Sequence, residues 1–146
     1  MLGSRLLVSF TIAVIGSLLI TALGFATYHP HMPVNIPQLV AAFVLGTVCF
    51  AAFGFFLGAV LPSTRSAQGI GLILFFVMMI LGGAGPPPEV LKGAMSVIGE
   101  ITPLRHVILT LQNPWLGYDW YTSASLITAG IAAASALLAA RLFRWE

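Results

Sequence analysis

The sequence predicts an all-α membrane protein with four transmembrane helices and an extracellular two-helix amphipathic hairpin before the last helix. Of the 146 residues, 59% are hydrophobic and only 7% are charged, so too few polar side chains remain to cover a water-facing surface. Four segments are almost uncharged and reach the roughly 20 residues that a helix needs to cross the hydrocarbon core. Residues 1–146 are therefore predicted to form a single transmembrane domain, with crossings at about 6–27, 38–60, 66–85 and 121–143.

The first crossing, 6–27, follows Arg5 near the N-terminus and raises the alternative of a cleaved secretory signal. Gly24, Phe25 and Ala26 fit a small-x-small cleavage site. The apolar run is longer than the roughly 7 to 15 residues usual in a signal, which favours a membrane-spanning helix.

Small residues recur at helix-packing spacing in the second and last crossings. Gly54 and Gly58 form a GxxxG pattern, which lets another backbone approach closely. We interpret it as packing within the bundle, with dimerisation as the alternative. The full set is Ala42 and Gly46, Gly54 and Gly58, and Ala132, Ala136 and Ala140.

The basic residues predict the orientation of the chain. Four crossings place both termini on one side, and the positive-inside rule assigns the side with more Lys and Arg to the cytoplasm. With the termini inside, the cytoplasmic side has Arg5, Arg65, Arg141 and Arg144, against Lys92 and Arg105 outside. Both termini are therefore predicted to be cytoplasmic. Aromatic residues between 115 and 121 fit the headgroup level before the last crossing.

The segment between the third and last crossings is too polar and too interrupted to span. Three prolines beginning at Pro86 stop the preceding helix. Residues 90–101 then predict an amphipathic helix with Lys92, Ser96 and Glu100 on its polar face. Its apolar face is predicted to contain Val90, Leu91, Ala94, Val97, Ile98 and Ile101.

A second short helix is predicted over about 103–112. Thr102 is its N-cap and Pro103 its first residue, while Asn113 and Pro114 end it. Its apolar stripe is predicted to contain Leu104, Val107, Ile108 and Leu111. Together the two helices form an outer hairpin at about 88–112 that caps the bundle or dips into the outer leaflet, and the alternative is an ordinary amphipathic loop.

The sequence gives little support to nucleic-acid binding, to cysteine chemistry or to a metal site. Six Lys and Arg scattered singly make no patch for nucleic acid. The single cysteine, Cys49, is interpreted as a small buried hydrophobe. His29 and His31 could hold a metal weakly, but a solvated loop is the better interpretation, so no metal site is predicted. Glu100 and Arg105 are interpreted as an ion pair fixing the hairpin, with a gating or proton role for the hairpin as the alternative.

Several short motifs along the chain resemble those of one protein family. They are Gly82-Gly83-Ala84-Gly85-Pro86, Pro88-Glu89-Val90-Leu91, Thr102-Pro103-Leu104, Trp115-Leu116-Gly117, the turn from Leu61 through Arg65 to Gln68, and the closing Arg141-Leu-Phe-Arg-Trp-Glu146. In this order they resemble the permease subunits of ABC-2 type exporters. The resemblance covers nearly the whole chain and corresponds to the last four of the family's six crossings, so the earlier helices are expected to precede Met1. Lys92 departs from the pattern, since the family often has a proline there.

The resemblance implies a bacterial plasma-membrane subunit of an ATP-driven exporter, paired with a second permease copy and a cytoplasmic ATP-binding subunit. ATP and Mg²⁺ would bind that partner, since this chain has no GxxxxGK[ST] loop and is not itself an enzyme. The cargo implied is apolar or amphipathic, such as a drug, lipid or polysaccharide, and multidrug efflux is one such activity.

The resemblance also suggests site residues. Phe75, Phe76, Met78 and Met79 would line the substrate path, although such clusters often face lipid instead. Pro86, Glu100, Pro103 and Arg105 would form an outer gate. Pro62, Ser63 and Arg65 would face the ATPase. The alternative functions are a stand-alone channel or pore, which needs a repeated polar face, and a membrane enzyme, which needs His, Asp or Glu within its helices.

Overall fold

The protein is an all-α bundle in a computed structural model that describes residues 2–85, 90 and 92–142. These residues form six helices: α1 Leu2–Tyr28, α2 Ile36–Val60, α3 Thr64–Leu81, α4 Ala94–Ile101, α5 Pro103–Leu116 and α6 Thr122–Leu142. Within the described part, α1, α2, α3 and α6 are long and apolar enough to cross a membrane. The all-helical fold class is thereby confirmed, with four helices that could cross a membrane, or five crossings if the bent pair α4 and α5 is one span. Pro86 and the two prolines after it, Glu89, Leu91 and residues 143–146 lie outside the described residues.

Helix α2 begins at Ile36, earlier than predicted, because Asn35 caps it. The Asn35 side chain accepts a hydrogen bond from the Gln38 backbone N–H at 3.4 Å, and Pro37 occupies the first turn, where no intrahelical donor is needed. At its other end α2 passes through a short turn at 61–63 into α3. We call this end of the bundle the turn end, and the end where α1 stops and α2 begins the hairpin end.

Helix α3 ends at Leu81, short of the predicted 85. Gly82 is its C-cap, and Gly83 follows in the left-handed region with φ of 89°. Only glycine adopts that conformation without a steric penalty, so the two glycines stop the helix before the prolines are reached.

The core lies between α2 and α6, which make the most extensive helix contact in the chain. Small residues allow this close approach. The buried positions are Ala42, Gly46, Cys49 and Ala52 on α2, and Ala124, Ser125, Thr128, Ala132, Ser135 and Ala139 on α6.

The predicted small-residue stripes are only partly correct. Ala42, Gly46 and Ala132 are buried, but Ala136 and Ala140 are exposed because the buried stripe of α6 alternates steps of three and four residues. Gly54 and Gly58 are also exposed, and a Cβ atom built on either would meet nothing within 4 Å. The GxxxG pattern therefore makes no packing contact within the described bundle.

Two hydroxyl groups in the core form hydrogen bonds within their own helix. The Thr128 hydroxyl donates to the Ala124 carbonyl at 2.8 Å, and the Ser125 hydroxyl donates to the Tyr121 carbonyl at 3.0 Å. Cys49 is fully buried, as the sequence predicted. Because each hydroxyl has a backbone acceptor, these side chains can pack in an apolar interior at little cost.

Helix α1 packs loosely on the rest of the bundle. None of its most apolar window is buried, and it touches α2 through the rings of Phe10 and Phe43, whose centroids lie 6.4 Å apart. Near the hairpin end the Phe25 ring lies 6.2 Å from that of Trp115. Helix α1 thus makes ring contacts with α2 and α5, while its most apolar window has no buried residue.

Candidate substrate cleft and re-entrant hairpin

The connection between α3 and α6 begins inside the bundle rather than above it. Helix α2 has 25 residues and α3 has 18, so at 1.5 Å per residue they are about 38 and about 27 Å long. Helix α2 ends, and α3 begins, at the same turn at 61–63. Helix α3 therefore stops about 10 Å short of the hairpin end, and the chain leaves it at that depth.

The joint between α4 and α5 lies against the end of α3. A Cβ atom on Gly82 would lie 3.3 Å from the Arg105 backbone nitrogen and from Leu104 Cβ. A Cβ atom on Gly99 would meet the Leu81 carbonyl oxygen directly. Helices α4 and α5 meet at 74°. A bend of this size is typical of a re-entrant loop or of a broken span, and it lies against the end of α3.

Helix α5 packs into the bundle between α2 and α6. Val107 is buried against Gly46, which lies about 15 Å along α2 from Ile36. Thr110 and Pro114 are fully buried as well, and the Thr110 hydroxyl donates to the His106 carbonyl at 2.7 Å. Val107 belongs to the predicted apolar stripe and is buried. The burial of Thr110 and Pro114 was not predicted.

The prediction that Asn113 and Pro114 end this helix is wrong, because α5 continues through Pro114 to Leu116. Proline removes one N–H near the end of the helix, where few intrahelical bonds remain to be lost. The Pro114 carbonyl accepts a hydrogen bond from the Asn35 N–H at 3.2 Å. Gly117, with φ of 82°, then ends the helix and lies against Val34.

Helix α4 is shorter than predicted and turns its apolar face outward. It starts at Ala94 because Gly93, with φ of 65°, breaks the backbone before it. Val97 is 56% exposed and Ile101 is 72% exposed, while the contact with α3 is made through Gly99. The apolar face of α4 is therefore not buried on the crossing helices among the described residues, and the arrangement in which the hairpin dips into the outer leaflet stays a prediction. In a chain surrounded by lipid an apolar face needs no protein cover.

A histidine, rather than an ion pair, joins the two short helices. The His106 Nε2 donates to the Glu100 carbonyl oxygen at 2.8 Å, whereas no ion pair between Glu100 and Arg105 is present among the described residues. The ion-pair interpretation is therefore not supported. Thr102 is the N-cap of α5 and Pro103 its first residue, as predicted, but the Thr102 hydroxyl donates backward to the Gly99 carbonyl.

The predicted path residues on α3 do not share one environment. Phe75 and Phe76 are about half exposed, and their rings meet edge-on with centroids 5.8 Å apart. Met78 is buried, whereas Met79 is half-buried. None of the four lines the cleft described below.

The turn residues form a regular helix start. The Ser63 hydroxyl accepts a hydrogen bond from the Ser66 N–H at 3.1 Å and caps α3. Pro62 and Arg65 are exposed beside it. This turn presents a small polar surface at the turn end.

A cleft of about 850 Å³ lies between α1, α2, α3 and α5. Its volume falls within the range of small-molecule sites. The lining is mainly apolar, with three phenylalanines and three polar side chains. The lining residues are Ser9, Ala13, Phe43, Gly46, Thr47, Phe50, Ala51, Gly54, Phe55, Gln68, Val107 and Leu111.

The apolar helices of this bundle are those of a multi-pass membrane protein. A family model described as ABC-2 family transporter protein matches residues 1–142. The chain belongs to this family and is a membrane component of a transporter, of the permease type, rather than a catalytic subunit. Comparisons with curated proteins and with solved structures gave no match.

Proposed function

We propose that this chain is the membrane-spanning permease subunit of an ATP-driven exporter and forms the path for an apolar or amphipathic substrate. The observation that carries the proposal is the family match over residues 1–142. The largely apolar cleft supports the substrate class. Because the sequence has no GxxxxGK[ST] loop, ATP and Mg²⁺ bind a separate partner.

The turn end faces the cytoplasm in this proposal, with the chain in the cell membrane and both termini inside. The excess of basic residues on that side supports the orientation. Arg65 is exposed at the start of α3, beside the Ser63 cap, and offers the ATP-binding partner a charged contact. The partner's movement would reach α3 through this turn.

A second permease copy completes the path. The family match supports this pairing, since the permeases of ABC-2 exporters that the sequence resembles work as pairs around a central path.

The orientation and the partner contact are tested with Arg65→Cys and Lys92→Cys, each in a Cys49→Ala background. An impermeant maleimide added to intact cells should label position 92 and leave position 65 unlabelled. In inside-out vesicles position 65 should react. The partner that co-purifies with the chain should be recognised by its ATP hydrolysis. Its presence should slow labelling of position 65 about tenfold, because a stable interface excludes solvent from its centre.

An alkaline wash that strips peripheral proteins supplies the control, since it should restore labelling at position 65 in the same vesicles. Labelling of position 65 in intact cells would contradict the orientation. A labelling rate that the ATP-hydrolysing partner leaves unchanged would contradict the contact at this turn.

A further inference from the structure

The cleft is polar at one end and apolar at the other. Gln68 lies on the second turn of α3, about 6 Å from the turn end, and Ser9 lies on the facing part of α1. Both side chains are exposed, and neither makes a hydrogen bond within the described residues. Toward the hairpin end the lining becomes apolar, and α5 closes the cleft with Val107 and Leu111.

The length of the cleft matches an extended hydrocarbon chain. Along α2 it runs from Phe55 to Phe43, about 18 Å at 1.5 Å per residue. That distance is more than half of the roughly 30 Å hydrocarbon core. Thr47 is the only polar side chain that α2 contributes, and its hydroxyl already donates to the Phe43 carbonyl at 2.8 Å. The interior of the cleft therefore suits an alkyl tail.

The polar end carries an unpaired positive charge. Arg65 precedes Gln68 by three residues, a spacing that places two side chains on neighbouring positions of one helix face. Arg65 is exposed and makes no ion pair with any described residue. A guanidinium beside an amide is suited to a phosphate group, since arginine donates several hydrogen bonds to phosphate oxygens.

We propose that the cleft binds a single-chain amphiphile whose phosphate headgroup lies at Arg65 and Gln68 and whose tail extends to Val107 and Leu111. The amphiphile would enter beside α1, whose most apolar window has no buried residue. The proposed function is needed only to identify this amphiphile as the cargo. Binding itself requires no ATP-hydrolysing partner.

The test uses the full chain in phosphatidylcholine nanodiscs with a lysophosphatidic acid probe that carries a diazirine near the end of its tail. After irradiation, mass spectrometry should locate the label on peptides that contain Val107 and Leu111. An excess of unlabelled lysophosphatidic acid should remove this label. Label spread evenly over α1 and α6, with no competition, would overturn the proposal.

Two matched glycine variants separate the cleft from the neighbouring surface. A Cβ atom on Gly54 or on Gly58 meets nothing within 4 Å, but Gly54 lines the cleft, whereas Gly58 lies one turn away, outside the lining. Gly54→Leu should lower the competable label at least about tenfold, because the added side chain occupies the volume of the tail. Gly58→Leu should leave it unchanged. Equal losses in both variants would assign this face to a second copy of the chain and overturn the proposal.

The headgroup is tested by comparing probes with the same tail. Arg65→Gln should weaken labelling by the phosphate probe about two- to fivefold and leave a neutral monoacylglycerol probe unaffected. Equal effects on both probes would overturn the assignment of the phosphate. These measurements omit ATP and the partner, so they test the binding site separately from export. Binding without ATP-driven export would contradict the proposed function but not this site. Export without cleft labelling would contradict this site but not the proposed function.

Discussion

Gly99→Ala is expected to detach α4 from the end of α3 and to lower the free energy of unfolding by about 1–3 kcal/mol, the usual cost of overpacking. The new Cβ atom would meet the Leu81 carbonyl oxygen, which belongs to the backbone and cannot rotate away. Helix α4 would have to shift, and the hydrogen bond from His106 to the Glu100 carbonyl would shift with it. Hydrogen exchange should show faster exchange across α4, and titration with SDS in mixed micelles should give the stability change.

Gly54→Ala is the control for this substitution. Its Cβ atom meets nothing within 4 Å, so alanine should be neutral or stabilising by up to about 1 kcal/mol through its higher helix propensity. If Gly99→Ala were as stable as this control, the close contact between α4 and α3 would be wrong.

Gly46→Ala is expected to push α5 away from α2 and to cost about 1–3 kcal/mol as well. Its Cβ atom would lie 2.7 Å from Val107 Cγ1, and valine is stiff about χ1, so the side chain cannot turn aside easily. Trp115 lies on the same helix as Val107, with its ring 6.2 Å from that of Phe25. Its fluorescence should therefore report the displacement of α5.

A double-mutant cycle identifies the contact itself. Val107→Ala removes the atom that clashes, so Gly46→Ala should cost less in the Val107→Ala background than in the original chain. We expect a coupling free energy of about 0.5–3 kcal/mol between the two positions. Strict additivity of the two substitutions would contradict the packing of α5 against the middle of α2.

The sequence predicted the four crossings because length and hydropathy alone decide whether a helix can span. It did not predict which face of each helix is buried. Lipid is as apolar as a protein interior, so hydrophobicity does not separate the two sides of a membrane helix. On α6 the buried face is recognised by small and hydroxyl side chains, including Ser125, Thr128 and Ser135, rather than by apolar ones.

The hairpin was predicted as two short helices, but its depth was not. That depth follows from the early end of α3 at Gly82 and Gly83, and the sequence analysis gave this role to the prolines instead. Asn35, followed by Pro37, was a readable helix start that the prediction missed. The cleft has no local sequence pattern, because its lining comes from four separate helices.

The most direct measurement of the proposed function is ATP-dependent flux into sealed inside-out vesicles. The vesicles would come from cells that produce the permease at its full encoded length together with its ATP-hydrolysing partner, and the substrate would be a fluorescent lysophosphatidic acid. We expect accumulation only when the chain, the partner and hydrolysable ATP are all present, with no flux for a non-hydrolysable analogue. Passage of ions or solutes through vesicles that contain this chain alone, without ATP, would instead identify a channel and contradict the exporter.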